Sequence, residues 1–341
     1  MKVLVTGMTG FIGGELAQRL VTEGHDVYGI VQPVSESGRN FSSIDNIKNK
    51  VKLVTCDLRD YISVKTAIKK IQPDVVMHLA ALAPVMFSFE SPLVYQDTNI
   101  IGTINLIDVI MDLYGPEKVR FVAASTAEVY GIQDENKPFT ENLRLEPSSP
   151  YAVSKAAMDM HIRMLFKVYN FNGVIFRGSN VFGRKHDASR LTEYLIKEMI
   201  DGKDIYIGAP DSVRDYIYID DHVDAYMLAM KTPQVRGEVF NIAGGQGFTN
   251  KEWVTKIAQL LNFPLEKIHF GQYPPGYPER PLKSDQPYLV LDDSKIRRVL
   301  GWQKKVLPEE GLKRTIAHWK NKIGEKKAFD KALKIKEILE S

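Results

Sequence analysis

Val3-Leu4-Val5-Thr6-Gly7-Met8-Thr9-Gly10-Phe11-Ile12-Gly13-Gly14 is the stretch from which the fold is read. Val3, Leu4 and Val5 form a continuous apolar run, the mark of a strand buried on both faces. Glycine then recurs at every third position, at Gly7, Gly10 and Gly13. A helical pattern follows, with Phe11, Ile12, Leu16, Leu20 and Val21 as its apolar stripe. A strand that enters a helix through such a turn leaves the helix's first N–H groups unpaired. Together with the helix dipole they make a seat for a phosphate. Glycine suits the turn because a Cβ would hold the phosphate off the backbone and the helix off the strand. An isolated triplet of this kind also fits an ordinary tight turn. Its place at the head of a strand–turn–helix unit favours the phosphate seat.

The remaining composition narrows the function classes. The 341 residues are 44% hydrophobic, enough for one large domain or two modest ones. Lys and Arg total 45 against 42 Asp and Glu, and they are spread along the chain. No basic run carries interleaved aromatics, so no nucleic-acid surface is expected. Cys56 is the single cysteine, which excludes an internal disulfide and points to a reducing, cytoplasmic setting. At the end of an apolar strand it reads as a structural thiol. Met1-Lys2 runs straight into the first strand, so no signal peptide is expected. No apolar run approaches the roughly 18 residues of a membrane helix. The seven histidines lack metal-ligand spacing. His222 beside Asp220 and Asp221 reads as the acidic start of a helix, and no metal is expected.

Strand-like and helical patterns alternate through the first half. Strands are predicted at Val27–Val31, Val51–Thr55, Val75–Leu79, Arg120–Ala124 and Gly173–Phe176. Helices are predicted at Val64–Ile71, at Val94–Leu113 with Gly115-Pro116 as its stop, and from Pro150 onward. This predicts an α/β fold, a Rossmann-like doubly wound parallel sheet over residues 1–180, with the ligand at the carboxyl ends of its strands. Beyond about Asn180 the segments shorten and prolines accumulate. A smaller α+β substrate lobe is predicted over 181–322, with some strands and helices interleaving between the two. A surface helix is predicted over 323–341.

A second constellation follows the fifth strand. Ser125-Thr126-Ala127-Glu128-Val129-Tyr130-Gly131 precedes Pro150-Tyr151-Ala152-Val153-Ser154-Lys155. Tyr151 and Lys155 are four apart and share one helix face. Base work near neutral pH requires a tyrosine lowered by about three units, about 4 kcal/mol. A nearby ammonium and an oxidised nicotinamide ring would supply this. A pair with this spacing is otherwise a solvated helix face. The neighbouring glycine turn and Ser-Thr strand end argue for the chemical reading.

With these motifs the chain resembles the extended short-chain dehydrogenases/reductases, and among them the NAD(P)-dependent nucleotide-sugar epimerases and dehydratases. The resemblance runs from about Met1 to Ile323. Besides the motifs above it is carried by Asp57-Leu58, His78-Leu-Ala-Ala81, Asn99-Ile-Ile-Gly102-Thr103, Arg177-Gly-Ser-Asn180-Val-Phe-Gly183, Arg214-Asp215-Tyr-Ile-Tyr-Ile-Asp220-Asp221 and Leu300-Gly301-Trp302. It implies that Gly7, Gly10 and Gly13 hold the cofactor diphosphate, that Thr9, Phe11, Ile12 and Gln32 are further cofactor contacts, and that Arg39 is placed to pair with a ribose 2′-phosphate. It places Asp57 and Leu58 at the adenine and Ala80 and Ala81 along the path to the nicotinamide, with Leu79, Ala83, Asn99 and Arg177 as further cofactor contacts. Lys155 would hold the nicotinamide ribose. Tyr151 would take the proton of the sugar C4 hydroxyl, with Thr126 orienting that hydroxyl. Ser125, Thr126, Asn180, Arg214 and Arg280 would hold the substrate, arginine forks suiting its diphosphate. Surface charge is the competing reading for Arg214 and Arg280.

The resemblance leaves the reaction open. Glu128 matches the glutamate that removes the C5 proton in nucleotide-sugar 4,6-dehydratases of the GDP-mannose or dTDP/UDP-hexose type. Ala127, where one dehydratase branch carries an acid, is common in 4-epimerases of the UDP-glucose or UDP-GlcNAc type. A 4-keto-6-deoxy-sugar reductase and a non-catalytic, cofactor-sensing binding protein on the same scaffold complete the alternatives. Glu128 is alternatively a supporting carboxylate with no part in the chemistry. The second strand ends in Gln32 without the acid of NAD-specific members, and Arg39 follows in the loop, which gives a narrow lean to NADP. The resemblance also implies a homodimer through a four-helix bundle of the Val94–Leu113 and Tyr151–Tyr169 helices. Ile104, Ile107, Met111, Met164 and Val168 are its contacts, unless they are core.

Overall fold

The computed structural model describes residues 1–33, 40–273 and 285–340, the last fifteen of these by backbone alone. Arg39 and Arg280 lie outside the described residues.

Seven parallel strands form the main sheet. They are β1 (Lys2–Thr6), β2 (Asp26–Val31), β3 (Lys52–Thr55), β4 (Val75–His78), β5 (Arg120–Ala124), β6 (Gly173–Gly178) and, from late in the chain, β10 (Val239–Ile242), in the order β10-β6-β5-β4-β1-β2-β3. Val3, Leu4 and Val5 are fully buried, as their unbroken apolar run requires. The chain leaves β1 toward β2 and β3, then returns to the other side of β1 with β4. That reversal opens a crevice at the carboxyl ends of β1 and β4, where Thr6 is in register with His78.

Helices α1 (Phe11–Thr22), α2 (Tyr61–Ile71), α3 (Val85–Glu90), α4 (Pro92–Gln96), α5 (Gly102–Tyr114) and α6 (Pro150–Tyr169) belong to this half. The Asp60 side chain caps α2, and Gln72 ends it in the left-handed conformation. Ser149 caps α6, Pro150 fills its first turn and left-handed Asn170 closes it. The single helix expected at Val94–Leu113 is instead α4, a wide π-type turn at Asp97–Ile101, and α5. The wide turn places Asn99 inward, 1% exposed, rather than continuing a regular face. Ile107 is fully buried core and not an outward contact. The exposed apolar side chains of these helices and the wide turn include Leu93, Val94, Ile101, Met160, Met164 and Val168.

The remaining strands are β7 (Asn180–Phe182), β8 (Ile205–Ile207), β9 (Val213–Tyr218), β11 (Gly247–Thr249), β12 (Ile268–Phe270) and β13 (Tyr288–Leu289). β9 is the hub, pairing with β7, β11 and β13, while β8 pairs with β12. Helices α7 (Leu191–Ile200), α8 (Ile219–Lys231), α9 (Asn250–Leu261), α10 (Ser294–Leu300) and α11 (Pro308–Glu340) complete the chain. The helix expected over 323–341 is the end of α11, which begins fifteen residues earlier because Leu312, Ile316 and Trp319 anchor it in the core. One hydrophobic cluster runs from Val3 and Val5 through Phe176 and Tyr226 to Phe182, Tyr216 and Trp253. The two lobes therefore share a core, and β10 and α8 belong in space to the first.

Candidate active site

The glycine turn has the geometry that its sequence demands. Gly7 lies at φ +72°, and a Cβ there would sit 2.8 Å from the Ala80 backbone nitrogen. At Gly13 a Cβ would meet the Gly7 carbonyl oxygen at 2.1 Å. Gly10 caps α1 with no side-chain hydrogen bond, so the first-turn N–H groups face the crevice. Such a cradle of bare backbone at a helix N-terminus fits a dinucleotide diphosphate. Phe11 and Ile12 pack against the core behind it, and Gln32 is exposed just past β2. Asp57 is held below the usual carboxylate range by its contact with Arg59, Nη2 to Oδ2 at 2.6 Å.

A buried polar chain joins this turn to the helix bearing Tyr151. The Ala80 N–H donates to Thr6 Oγ1 at 3.1 Å, and Thr6 Oγ1 meets His78 Nδ1 at 2.9 Å. His78 Nε2 meets Thr103 Oγ1 at 2.8 Å, and that hydroxyl donates to the Asn99 carbonyl at 2.7 Å. Asn99 Nδ2 donates to Ser154 Oγ at 2.8 Å, while Asn99 Oδ1 accepts the Leu82 N–H at 2.8 Å. Burial drives His78 down to about 3, so its ring stays neutral. Asn99 thus spends both amide protons and one lone pair of its oxygen on shaping the Leu79–Ala83 wall.

Thr126 ends the loop after β5 and caps the short turn Ala127–Tyr130, accepting from the Glu128 N–H at 3.3 Å. Its side chain is also hydrogen-bonded to the Tyr151 phenol, and Glu128 and Arg190 both act on that phenol by charge. The Tyr95 ring meets Tyr151 edge-on with centroids 6.4 Å apart. Burial pushes the Tyr151 phenol up, not down. The Lys155 ammonium is turned to the Ala124 carbonyl and to Met158 Sδ, and burial brings it down to about 8. The four-residue spacing puts the two on one helix face, but the tip of the lysine finds a backbone acceptor first.

On the substrate side, Ser125 Oγ is buried with no hydrogen-bond partner among the described residues. Asn180 Nδ2 donates to the Asp215 carbonyl at 3.3 Å. Arg214 pairs with Asp285 at 2.8 Å. Arg177 is a correction: its guanidinium is fully buried, bidentate on Asp159 at 2.9 and 2.8 Å, and donates to the Tyr130 hydroxyl at 3.0 Å. It holds β6 to α6, and the guanidinium has no exposed surface to offer a cofactor. Sequence reading missed Gln286, whose Nε2 donates to Glu128 Oε2 at 3.0 Å, and Arg190. Neither lies in a motif, and both reach the site from the second lobe. Among the described residues no group of three or more His, Cys, Asp or Glu is placed to hold a metal. No described helix is long and apolar enough to cross a membrane.

Comparison with known proteins finds similar chains over most of the length. The model of the family described as GDP-mannose 4,6 dehydratase matches residues 4–315. The dTDP-glucose 4,6-dehydratase of Haemophilus influenzae is 33% identical over 93% of this chain and 97% of its own length. Among solved structures, the UDP-glucose 4-epimerase of Thermotoga maritima with UDP-glucose has a TM-score of 0.84 at 28% identity, covering 95% of this chain and all of that one. The dTDP-glucose 4,6-dehydratase of Streptomyces venezuelae, solved with NAD bound, has a TM-score of 0.82 at 28% identity over 95% and 98% of the two chains.

Proposed function

This chain belongs to the GDP-mannose 4,6-dehydratase family, and on that footing we propose that it is a nucleotide-sugar 4,6-dehydratase working through transient oxidation at C4. It is an enzyme of the nucleotide-sugar dehydratase and epimerase group. The observation that carries the finer reading is Glu128, brought by the Thr126-capped turn to act on the same phenol that Thr126 hydrogen-bonds. Tyr151 takes the proton of the C4 hydroxyl, and Thr126 orients that hydroxyl. A C4 ketone acidifies the C5–H bond, and the Glu128 carboxylate takes the proton. The electron pair left behind expels the C6 hydroxyl, which takes that proton from Glu128 and leaves as water.

A bound nicotinamide dinucleotide would supply the hydride acceptor for C4 and the hydride donor for C6, with C5 taking a proton from solvent. Gly7, Gly10 and Gly13 hold its diphosphate, Asp57 and Leu58 border the adenine, and Lys155 reaches the ribose. NAD is bound in the Streptomyces venezuelae relative. The lean to NADP rests on Arg39, and Gln32 beside the ribose position is uncharged, so the two cofactors are to be titrated side by side. Arg214 and Asn180 hold the substrate diphosphate and sugar, Arg214 exchanging Asp285 for phosphate. A second copy of the chain covers the exposed Leu93, Val94, Ile101, Met160, Met164 and Val168 in a four-helix bundle.

The test is incubation with UDP-, GDP-, dTDP- and CDP-sugars followed by mass spectrometry. Loss of one water from one of them is expected. Glu128→Gln is expected to abolish water loss while sparing C4 oxidation, and normal dehydration by that variant removes Glu128 from the mechanism. The second reading, a 4-epimerase, is favoured by Ala127, which leaves no acid beside Glu128 in this motif. It requires unchanged mass with a new stereoisomer.

A further inference from the structure

Gln286 is 2% exposed and lies just before β13, far in sequence from every motif of the site. Its Nε2 donates to Glu128 Oε2 at 3.0 Å and reaches the Glu128 backbone carbonyl at 3.4 Å. Its Oε1 is buried with no hydrogen-bond partner among the described residues. The chemistry fixes this orientation: an ionised carboxylate only accepts, so the amide must turn its nitrogen toward it. The amide satisfies Glu128 at the expense of its own oxygen. The backbone around it is pinned. Val213 N–H donates to the Pro287 carbonyl at 2.9 Å, Tyr288 and Leu289 pair with Val213 and Arg214, and Asp285 pairs with Arg214 at 2.8 Å. The amide is thus delivered by a fixed strand of the second lobe to a carboxylate on a short turn of the first.

Resting on the dehydratase reading, we propose that Gln286 is a positioning residue that aims the Glu128 carboxylate at the C5–H bond and keeps one of its oxygens hydrogen-bonded. In the step it serves, the C5–H bond breaks, the proton goes to a Glu128 oxygen and the electron pair enters the C4 ketone as an enolate. A base whose carboxylate swings on its rotamers presents that oxygen less often, and misplacement of this kind carries a large rate cost.

Two measurements on the full chain test this. The first is a double-mutant cycle of Glu128→Ala with Gln286→Leu, followed by denaturant unfolding without substrate, so it is independent of the reaction catalysed. The expected result is coupling, with the double variant losing less than the sum of the single losses; additive losses overturn the contact. The second is a single turnover with the sugar nucleotide that the wild type dehydrates. Gln286→Leu is expected to develop reduced-nicotinamide absorbance at the wild-type rate while solvent deuterium enters C5 at least about tenfold more slowly. Equal slowing of both steps, or of neither, overturns the positioning role. A wild type that removes water from no nucleotide sugar refutes the dehydratase reading itself. The same finding overturns the assigned role in the C5 step, while the unfolding cycle still decides the contact.

Discussion

Asp159→Asn is the substitution from which the architecture predicts most. Asp159 and Arg177 are both fully buried and form two parallel hydrogen bonds at 2.8 and 2.9 Å. The amide keeps one acceptor but turns an N–H₂ toward a guanidinium N–H, and the cation loses its counter-charge. The Tyr130 hydroxyl at 3.0 Å and the Glu141 carbonyl at 3.3 Å remain, and neither carries a full charge. Breaking one side of a buried pair costs about 3–5 kcal/mol, roughly a third or more of a typical domain's stability. Asp159 also supports the charge on Lys155, one turn away on α6, against the burial that brings it to about 8. A lysine lowered on folding opposes folding fully below its folded value, and that cost fades as pH rises toward the free value. In the variant this window extends further below pH about 8, and the alkaline limit of cofactor binding moves down with it. The assay is denaturant unfolding across pH together with cofactor titration. Unfolding midpoints equal to the wild type would refute the reasoning. The paired change Asp159→Leu with Arg177→Met removes both charges and is expected to recover much of the loss.

Gly13→Ala places a methyl 2.1 Å from the Gly7 carbonyl oxygen. The turn must open, and cofactor affinity is expected to fall at least about tenfold, read by fluorescence titration; unchanged affinity contradicts the cradle. In the ligand-free protein, burial holds the Tyr151 phenol above its ordinary range. The ultraviolet difference between wild type and Tyr151→Phe should therefore show no ionisation below pH about 10, and a step near neutrality before cofactor is added would be contrary evidence. Asp215 is raised to about 7 by burial despite accepting N–H groups from Gly244 and Leu291. A carboxyl raised on folding contributes stability that is present at low pH and lost as pH rises through its folded value. Relative to Asp215→Asn, the wild type is expected to lose stability between about pH 4 and 7 in thermal unfolding, and parallel curves would contradict this.

What the sequence disclosed was local. The Gly7–Gly13 turn, the Ser149-Pro150 helix start and the strand runs through Gly173 are each written in adjacent residues, and backbone sterics alone decide them. The wide turn at Asp97–Ile101 was hidden, because Asp-Thr-Asn-Ile-Ile continues a helical pattern. It is set by Asn99 bonding Leu82 and Ser154 from outside the helix. Arg177 was misread for a related reason: nothing in its own motif names Asp159 as its partner. The Tyr151–Lys155 spacing gave the shared face but not the lysine's tip, which a strand-end carbonyl captures. Gln286 had no signal, since its meaning depends on a contact across 158 positions.

The return of β10 to the edge of β6 governs how this chain can be divided. Val239–Ile242 pairs with Ile175–Gly178 and covers a row of amide and carbonyl groups that would otherwise face water. A fragment stopping after Gly178 would keep every motif of the glycine turn and of α6, yet end its sheet in a bare, oily border formed by Val174, Ile175 and Phe176. Borders of that kind recruit strands from other molecules. Proteolysis in the second lobe is thus a route to precipitation, and a truncated form would have to be supplied with a surrogate for residues 239–242 before it stayed in solution.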